Sequence, residues 1–139
     1  MEALGLQWSK HLSGINRVYL EGPLGAGKTT FVRGLLRGLG YAGAVKSPTF
    51  TLVEPYELNG RALYHFDLYR MQNTQELEDI GIRDYFDGQG LCVVEWADKA
   101  QNLLPRADLT VMMAPHGNGR RLRLIAHHHT AALCLKALS

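Results

Sequence analysis

Gly22-Pro23-Leu24-Gly25-Ala26-Gly27-Lys28-Thr29 is the stretch whose reading decides the fold of this chain. It satisfies G-x-x-x-x-G-K-[ST], and its neighbours supply the context that gives the pattern meaning. Upstream, Val18-Tyr19-Leu20 reads as a short buried strand; downstream, Val32, Leu35, Leu36 and Leu39 recur at helical spacing. Glycines at such a strand-to-helix turn let successive backbone N–H groups point inward, and the positive end of the following helix faces the same place. The result is a cradle for phosphate oxygens. Lys28 is placed to reach the β and γ phosphates of a nucleotide, and the Thr29 hydroxyl is of the type that ligates magnesium. The competing reading, a Gly-rich turn with an incidental lysine, is outweighed by the strand and helix on either side.

Working outward, Gly34 and Gly38 each cost the predicted helix about 1 kcal/mol relative to alanine, while Gly40 is well placed to end it in a left-handed cap. Lys46 to Glu54 reads as a polar loop feeding a strand, because Pro48 biases Ser47 to extended geometry. Asn59-Gly60 divides Tyr56-Glu57-Leu58 from Ala62-Leu63-Tyr64-His65-Phe66 and predicts an antiparallel hairpin. Asn73 followed by Glu76 resembles a capping box that opens a short helix ending near Gly81, with a second helical piece carrying Tyr85 and Phe86. Leu91-Cys92-Val93-Val94 is a continuous apolar run, as in a central strand covered on both faces. Leu109 to Met113 and Leu122 to Ala126 read as strands joined by a turn at Gly117-Asn118-Gly119, and Thr130 to Leu138 as a closing helix. The fold class is α/β: one P-loop NTPase-like domain over residues 1–139, with a central, mostly parallel sheet, antiparallel hairpin additions and flanking helices.

Bulk composition agrees with one domain, since 139 residues that are 46% hydrophobic suit one compact core. A formal charge of +2 is too near balance to argue for a dedicated nucleic-acid surface, so contact with RNA is expected only through a partner. Of the two cysteines, Cys92 lies in the apolar run as a buried thiol would, which points to a reducing compartment. The first residues do not read as a leader, and no run approaches the ~20 apolar residues of a membrane span. A cytoplasmic protein without a membrane partner is expected.

A magnesium nucleotide site needs a carboxylate near the cradle, and in parallel sheets such ligands sit at the carboxyl ends of strands. Glu95, directly after the buried run, is the candidate for this Walker B role. Thr49 and Thr51 lie in a hydroxyl-rich loop that either senses a γ phosphate, as switch loops do, or reflects only β propensity. Asp67, after the hairpin strand, either orients or deprotonates an attacking water or caps a turn. His65 reads as a structural histidine, and His127-His128-His129 as a polar surface turn, because no metal-ligand spacing accompanies it.

Four blocks in order carry a more specific likeness: Gly25-Ala26-Gly27-Lys28-Thr29-Thr30, Ser47-Pro48-Thr49-Phe50-Thr51-Leu52-Val53, Tyr64-His65-Phe66-Asp67-Leu68-Tyr69-Arg70 and Val94-Glu95-Trp96. With Gly81-Ile82-Arg83-Asp84-Tyr85-Phe86 between the last two, the chain closely resembles the TsaE (formerly YjeE) family over nearly its whole length. The resemblance implies an ATPase that binds a TsaD–TsaB heterodimer, which forms N6-threonylcarbamoyladenosine at position 37 of tRNAs reading ANN codons, and whose ATP hydrolysis supports turnover of the complex. It also implies that Gly22, Leu24, Gly25, Ala26, Gly27, Lys28, Thr29 and Thr30 bind ATP and that Thr29 and Glu95 hold Mg2+. Thr49 and Thr51 would form the switch loop, with Lys28, Asp67 and Glu95 catalytic. Trp96 matches an aromatic beside the metal carboxylate, or is a half-buried anchor. Two positions depart from the pattern. Family members usually carry a strand before the Leu4-Gly5 segment, so an edge strand is expected to be missing, and Pro23 stands where relatives are often acidic.

Two other readings share the cradle. A small-molecule P-loop kinase needs a substrate pocket and an arginine-bearing lid, and no such lid is legible. A GTP-driven switch without turnover of its own needs guanine recognition. Asp87-Gly88-Gln89-Gly90 spells D-x-x-G but precedes the buried strand, and no N-K-x-D occurs. ATP is therefore expected, with slow hydrolysis by the chain alone, because no arginine finger is evident.

Overall fold

The computed structural model describes residues 1–58, 60–100 and 102–138. In chain order the elements are α1 (Glu2–Trp8), β1 (Arg17–Glu21), α2 (Lys28–Gly38), β2 (Val53–Leu58), β3 (Arg61–Asp67), α3 (Gln75–Asp79), α4 (Ile82–Asp87), β4 (Leu91–Glu95), β5 (Leu109–His116), β6 (Gly119–Ala126) and α5 (His129–Leu138). Single 3-10 turns occupy Ser9–His11 and Ala97–Ala100. Among the described residues the strands form a six-stranded sheet in the order β2-β3-β4-β1-β5-β6. The four inner strands β3, β4, β1 and β5 are parallel, and the edges β2 and β6 are antiparallel hairpin partners of β3 and β5. The expected mixed sheet is thus present. Among the described residues no helix is long and apolar enough to cross a membrane.

Strand alternation divides the core in two. Val18 and Leu20 of β1, Leu63 of β3, Val93 of β4 and Val111 of β5 face α1, α2 and α5, where Trp8, Leu35, Leu36 and Ala131 meet them. Tyr19, Phe66, Cys92 and Val94 face the opposite layer, with Leu77 of α3 and Ile82 and Phe86 of α4. Every residue of β4 is buried, which is why its sequence is an unbroken apolar run.

The hairpin β2–β3 closes in the expected register, Leu58 opposite Arg61, with Gly60 at φ +80°; the Asn59 half of the predicted turn lies outside the described residues. The capping box forms in part. Glu76 Oε2 accepts the N–H groups of Gln72 and Asn73 at 2.7 and 3.1 Å, but the helix begins one residue later, with Thr74 as N-cap. The histidine triplet differs more from its expectation. His127 is half-buried and its ring bonds Thr110 Oγ1 at 2.9 Å, His128 Nε2 meets Asp108 Oδ1 at 2.7 Å, and His129 opens α5. A polar run reads as loose surface when its partners, here Asp108 and Thr110, are remote in sequence.

The helix α1 left no signal that sequence periodicity could resolve in so short a segment. It packs along α2 through glycines: a Cβ on Gly34 would stand 2.0 Å from Glu2 O, and one on Gly5 would stand 2.2 Å from Phe31 O. A Cβ on Gly38 would stand 1.9 Å from Ser9 Oγ. The glycines that weaken α2 as an isolated helix therefore let two backbones touch, with Trp8 edge-on to Phe31 at a centroid distance of 5.1 Å.

Gly34→Ala is expected to destabilise the protein by about 1–3 kcal/mol, although the same change in an exposed helix stabilises it by up to ~1 kcal/mol. The sign of the change in the urea midpoint decides between them. Asp108 gives a second prediction. Its carboxylate accepts the N–H groups of Asn16 and Arg17 at 2.7 and 2.9 Å as well as the His128 ring. Burial works to raise its pKa, but these donors hold it below the ordinary value. A carboxyl depressed in the folded state adds stability above its unfolded pKa and loses it as pH falls through the folded value. Asp108→Asn should therefore be less stable than the parent at pH 7 by about 1–3 kcal/mol. The gap should close below about pH 4, and denaturant midpoints that stayed equally far apart at pH 3 would contradict this role.

Candidate functional site

The cradle forms where β1 ends and α2 begins. Gly22, Gly25 and Gly27 take φ of +151°, +78° and +102°, and Gly27 is the residue preceding the first turn of α2. These conformations are strained for residues with a Cβ, and at Gly22 a Cβ would also lie 2.4 Å from Met113 O. Leu24, Gly25, Gly27, Lys28, Thr29, Thr30, Thr49, Asp67, Glu95, Trp96 and Arg120 line a cleft of about 350 Å³ over the N-terminus of α2. Gly22 and Ala26 shape it from behind. Lys28 Nζ donates to Gly22 O and, at 3.2 Å, to Pro23 O, and Ala26 is buried.

Sheet register delivers the carboxylates. Asp67 ends β3 and Glu95 ends β4, paired across the parallel ladder, and Leu20 of β1 is the other neighbour of Glu95. Alternation turns Glu95 to the α2 face of the sheet, where Thr29 Oγ1 donates to Glu95 Oε2 at 3.3 Å. Asp67 takes the turn-capping role open to it by sequence and also faces the cleft. Its Oδ1 accepts Tyr69 N–H at 3.0 Å, capping the turn, while its Oδ2 accepts Thr49 Oγ1 at 3.3 Å inside the cleft. Thr49 in turn shares a hydrogen bond of 2.6 Å with Ser47 Oγ. Thr51 is not brought in: it is exposed and donates to Glu54 Oε1 at 3.1 Å.

Trp96 adopts φ +61°, a left-handed conformation that costs a bulky residue about 1–3 kcal/mol. The turn swings its half-buried ring under Lys28, whose Nζ lies 4.2 Å from the ring centroid, and against Tyr69 at 5.0 Å. Burial pushes the Lys28 ammonium below its ordinary pKa, and Glu95, Asp67 and Asp98 oppose that shift.

Oxygen donors of this kind suit magnesium. Among the described residues no group of three or more His, Cys, Asp or Glu side chains can hold a metal ion by itself. Magnesium, which usually keeps several waters and binds through one or two carboxylates plus phosphates, would fit beside Thr29 and Glu95.

Arg120 went unnoticed in the sequence, and His65, read there as a structural histidine, reaches the site. His65, fully buried on β3, has Nε2 2.5 Å from Glu95 Oε2. Its place two residues before Asp67 on one strand face was the available signal. Arg120, at the start of β6, donates from Nε to Ala26 O at 3.0 Å and from a terminal nitrogen to Gly25 O at 3.3 Å. No local pattern announces a contact spanning more than ninety residues. Arg120→Ala should leave the far-UV spectrum unchanged while amide exchange quickens across residues 24–27; unchanged protection there would remove Arg120 as the tether of the loop.

Comparisons with known proteins agree with this arrangement. The profile of the family described as threonylcarbamoyl adenosine biosynthesis protein TsaE matches residues 1–122. The protein from Haemophilus influenzae named tRNA threonylcarbamoyladenosine biosynthesis protein TsaE is 49% identical over 122 residues, covering 88% of this chain and 77% of that protein. Its namesake from Bacillus subtilis is 47% identical over 102 residues, covering 73% of this chain and 63% of the relative. The crystal structure of Bacillus subtilis YdiB superposes with a TM-score of 0.75 at 31% identity, covering 99% of this chain and 88% of that one.

Proposed function

The chain belongs to the TsaE family of tRNA threonylcarbamoyladenosine biosynthesis, and we propose that it is the magnesium-dependent ATPase of that system, binding ATP in the cleft over α2. The observation that carries the reading is the meeting of Thr29 Oγ1 with Glu95 Oε2 at 3.3 Å at the mouth of a P-loop, with Asp67 at the adjacent strand end.

Each residue has a definite task in this reading. N–H groups of the loop and the N-terminus of α2 bind phosphate oxygens. Lys28 exchanges the carbonyls of Gly22 and Pro23 for the β and γ phosphates, and Trp96 holds its ammonium at that position. Thr29 and Glu95 hold Mg2+, which neutralises charge on the phosphates when bound. Asp67 orients the attacking water and accepts its proton, with Thr49 sensing the γ phosphate through the same carboxylate. The partners are a TsaD–TsaB heterodimer, with tRNA reached through that complex, in the cytoplasm.

Turnover by the chain alone should be slow and should rise when the TsaD–TsaB heterodimer is added, with ATP preferred to GTP; phosphate release assays with each nucleotide measure this. Lys28→Ala should lower the stimulated rate by at least ~10²-fold, and Glu95→Ala should raise the magnesium requirement. Full activity without partners, or preference for GTP, would refute the partner-driven ATPase while leaving nucleotide binding intact.

A further inference from the structure

Glu95 is 3% exposed, and a carboxylate so deep needs donors on its oxygens. Oε2 has two, Thr29 Oγ1 at 3.3 Å and His65 Nε2 at 2.5 Å. The shorter contact belongs to the residue with no exposure at all, set on β3 one ladder step behind Asp67, its backbone opposite Val93. Nothing in the nucleotide site as described above uses it. Its surroundings are apolar: Leu63 on the same strand face and Val93 across the ladder are buried, so packing alone would favour a leucine there.

The other ring nitrogen fixes the tautomer. His65 Nδ1 is buried without a hydrogen-bond partner. A proton on Nδ1 would bury a donor facing nothing and would set the bare lone pair of Nε2 against a carboxylate oxygen. A proton on Nε2 satisfies Glu95 and leaves only an unpaired acceptor, the milder omission.

We infer that His65 is a positioning residue for Glu95: its Nε2–H anchors Oε2 and so reserves the other carboxylate oxygen for the magnesium site. This rests on the reading of Glu95 as the carboxylate of that site. The role is of the outer-shell kind, in which a hydrogen bond to a ligating carboxylate sets its orientation and basicity, and loss of such a partner weakens metal affinity by about 10- to 100-fold. His65 touches neither nucleotide nor water in this account. Its effect should therefore fall on the magnesium requirement and not on nucleotide affinity without the metal.

The test uses the full chain, a fluorescent ADP analogue and a magnesium titration, with His65→Gln, His65→Asn, His65→Leu and Glu95→Gln compared by thermal denaturation first. Glutamine carries an amide N–H near the place of Nε2, whereas asparagine stops near Nδ1. The expected result is a magnesium midpoint raised about 10-fold or more in the Leu and Asn variants, largely restored in Gln, with metal-free affinity unchanged in all three. If Glu95→Gln raises the midpoint and His65→Leu does not, the positioning role is overturned while the metal role of Glu95 stands. If Glu95→Gln also leaves it unchanged, the metal role falls and the inference with it. Nitrogen-15 NMR of the unaltered protein covers the case in which the variants do not fold. It should show one protected histidine ring protonated at Nε2 that shifts with ADP plus magnesium but not with ADP alone. An Nδ1-protonated ring, or no response to magnesium, would overturn the proposal.

Discussion

A carboxylate held almost out of contact with water at the carboxyl end of four parallel strands is the constraint on which the site depends. Glu95 closes β4, the one strand buried along its entire length, so its side chain cannot escape to solvent without unthreading the middle of the sheet. Desolvating an ionised group is costly, and the sequence around it supplies what burial demands: a hydroxyl from the first turn of α2, an imidazole from β3 and an ammonium in the same cleft. These donors come from two elements, α2 and β3, that meet at Glu95 because the strand order places β4 between β3 and β1. Moving β4 to an edge would separate Glu95 from one of the two.

The loop opposite that carboxylate is held with comparable care. Its glycines adopt left-handed conformations, and carbonyls left unpaired beside the cleft would work against an anion. Lys28 covers those of Gly22 and Pro23, and Arg120 covers those of Gly25 and Ala26. The helix behind the loop is fixed in its turn by α1, which lies against α2 at a distance only glycine permits. Rigidity therefore passes from a helix–helix contact to the N-terminus of α2 and on to the oxygen donors of the cleft.

Much of this was legible in the sequence because it is local. The strand–loop–helix around residues 22–29, the Leu91–Val94 run ending in Glu95, and the β2–β3 and β5–β6 hairpins all rest on periodicity or turn chemistry within about a dozen residues. Brändén's rule placed Glu95 at the carboxyl end of a strand, but its parallel pairing with Asp67 left no pattern in the sequence. What escaped was tertiary. Gly34 and Gly38 read as weak points of a helix because their justification lies in residues 2–9. His65 read only as a structural histidine because its partner is thirty residues away, and Thr51 read like Thr49 although one faces the cleft and the other Glu54.

On the proposed reading, electrostatics give a cleft that binds ATP more readily than it turns it over. Both cations that line it are committed to the loop: Lys28 to backbone carbonyls and the face of Trp96, Arg120 to the carbonyls of Gly25 and Ala26. An incoming phosphate can recruit Lys28, because phosphate oxygens are better acceptors for an ammonium than two carbonyls. Arg120 has no such exchange to make, since releasing Gly25 and Ala26 would loosen the N–H groups that bind the same phosphate. The positive charge needed on a leaving or transferring phosphoryl group beyond Lys28 must then come from outside the loop, which is the physical content of a partner-dependent rate.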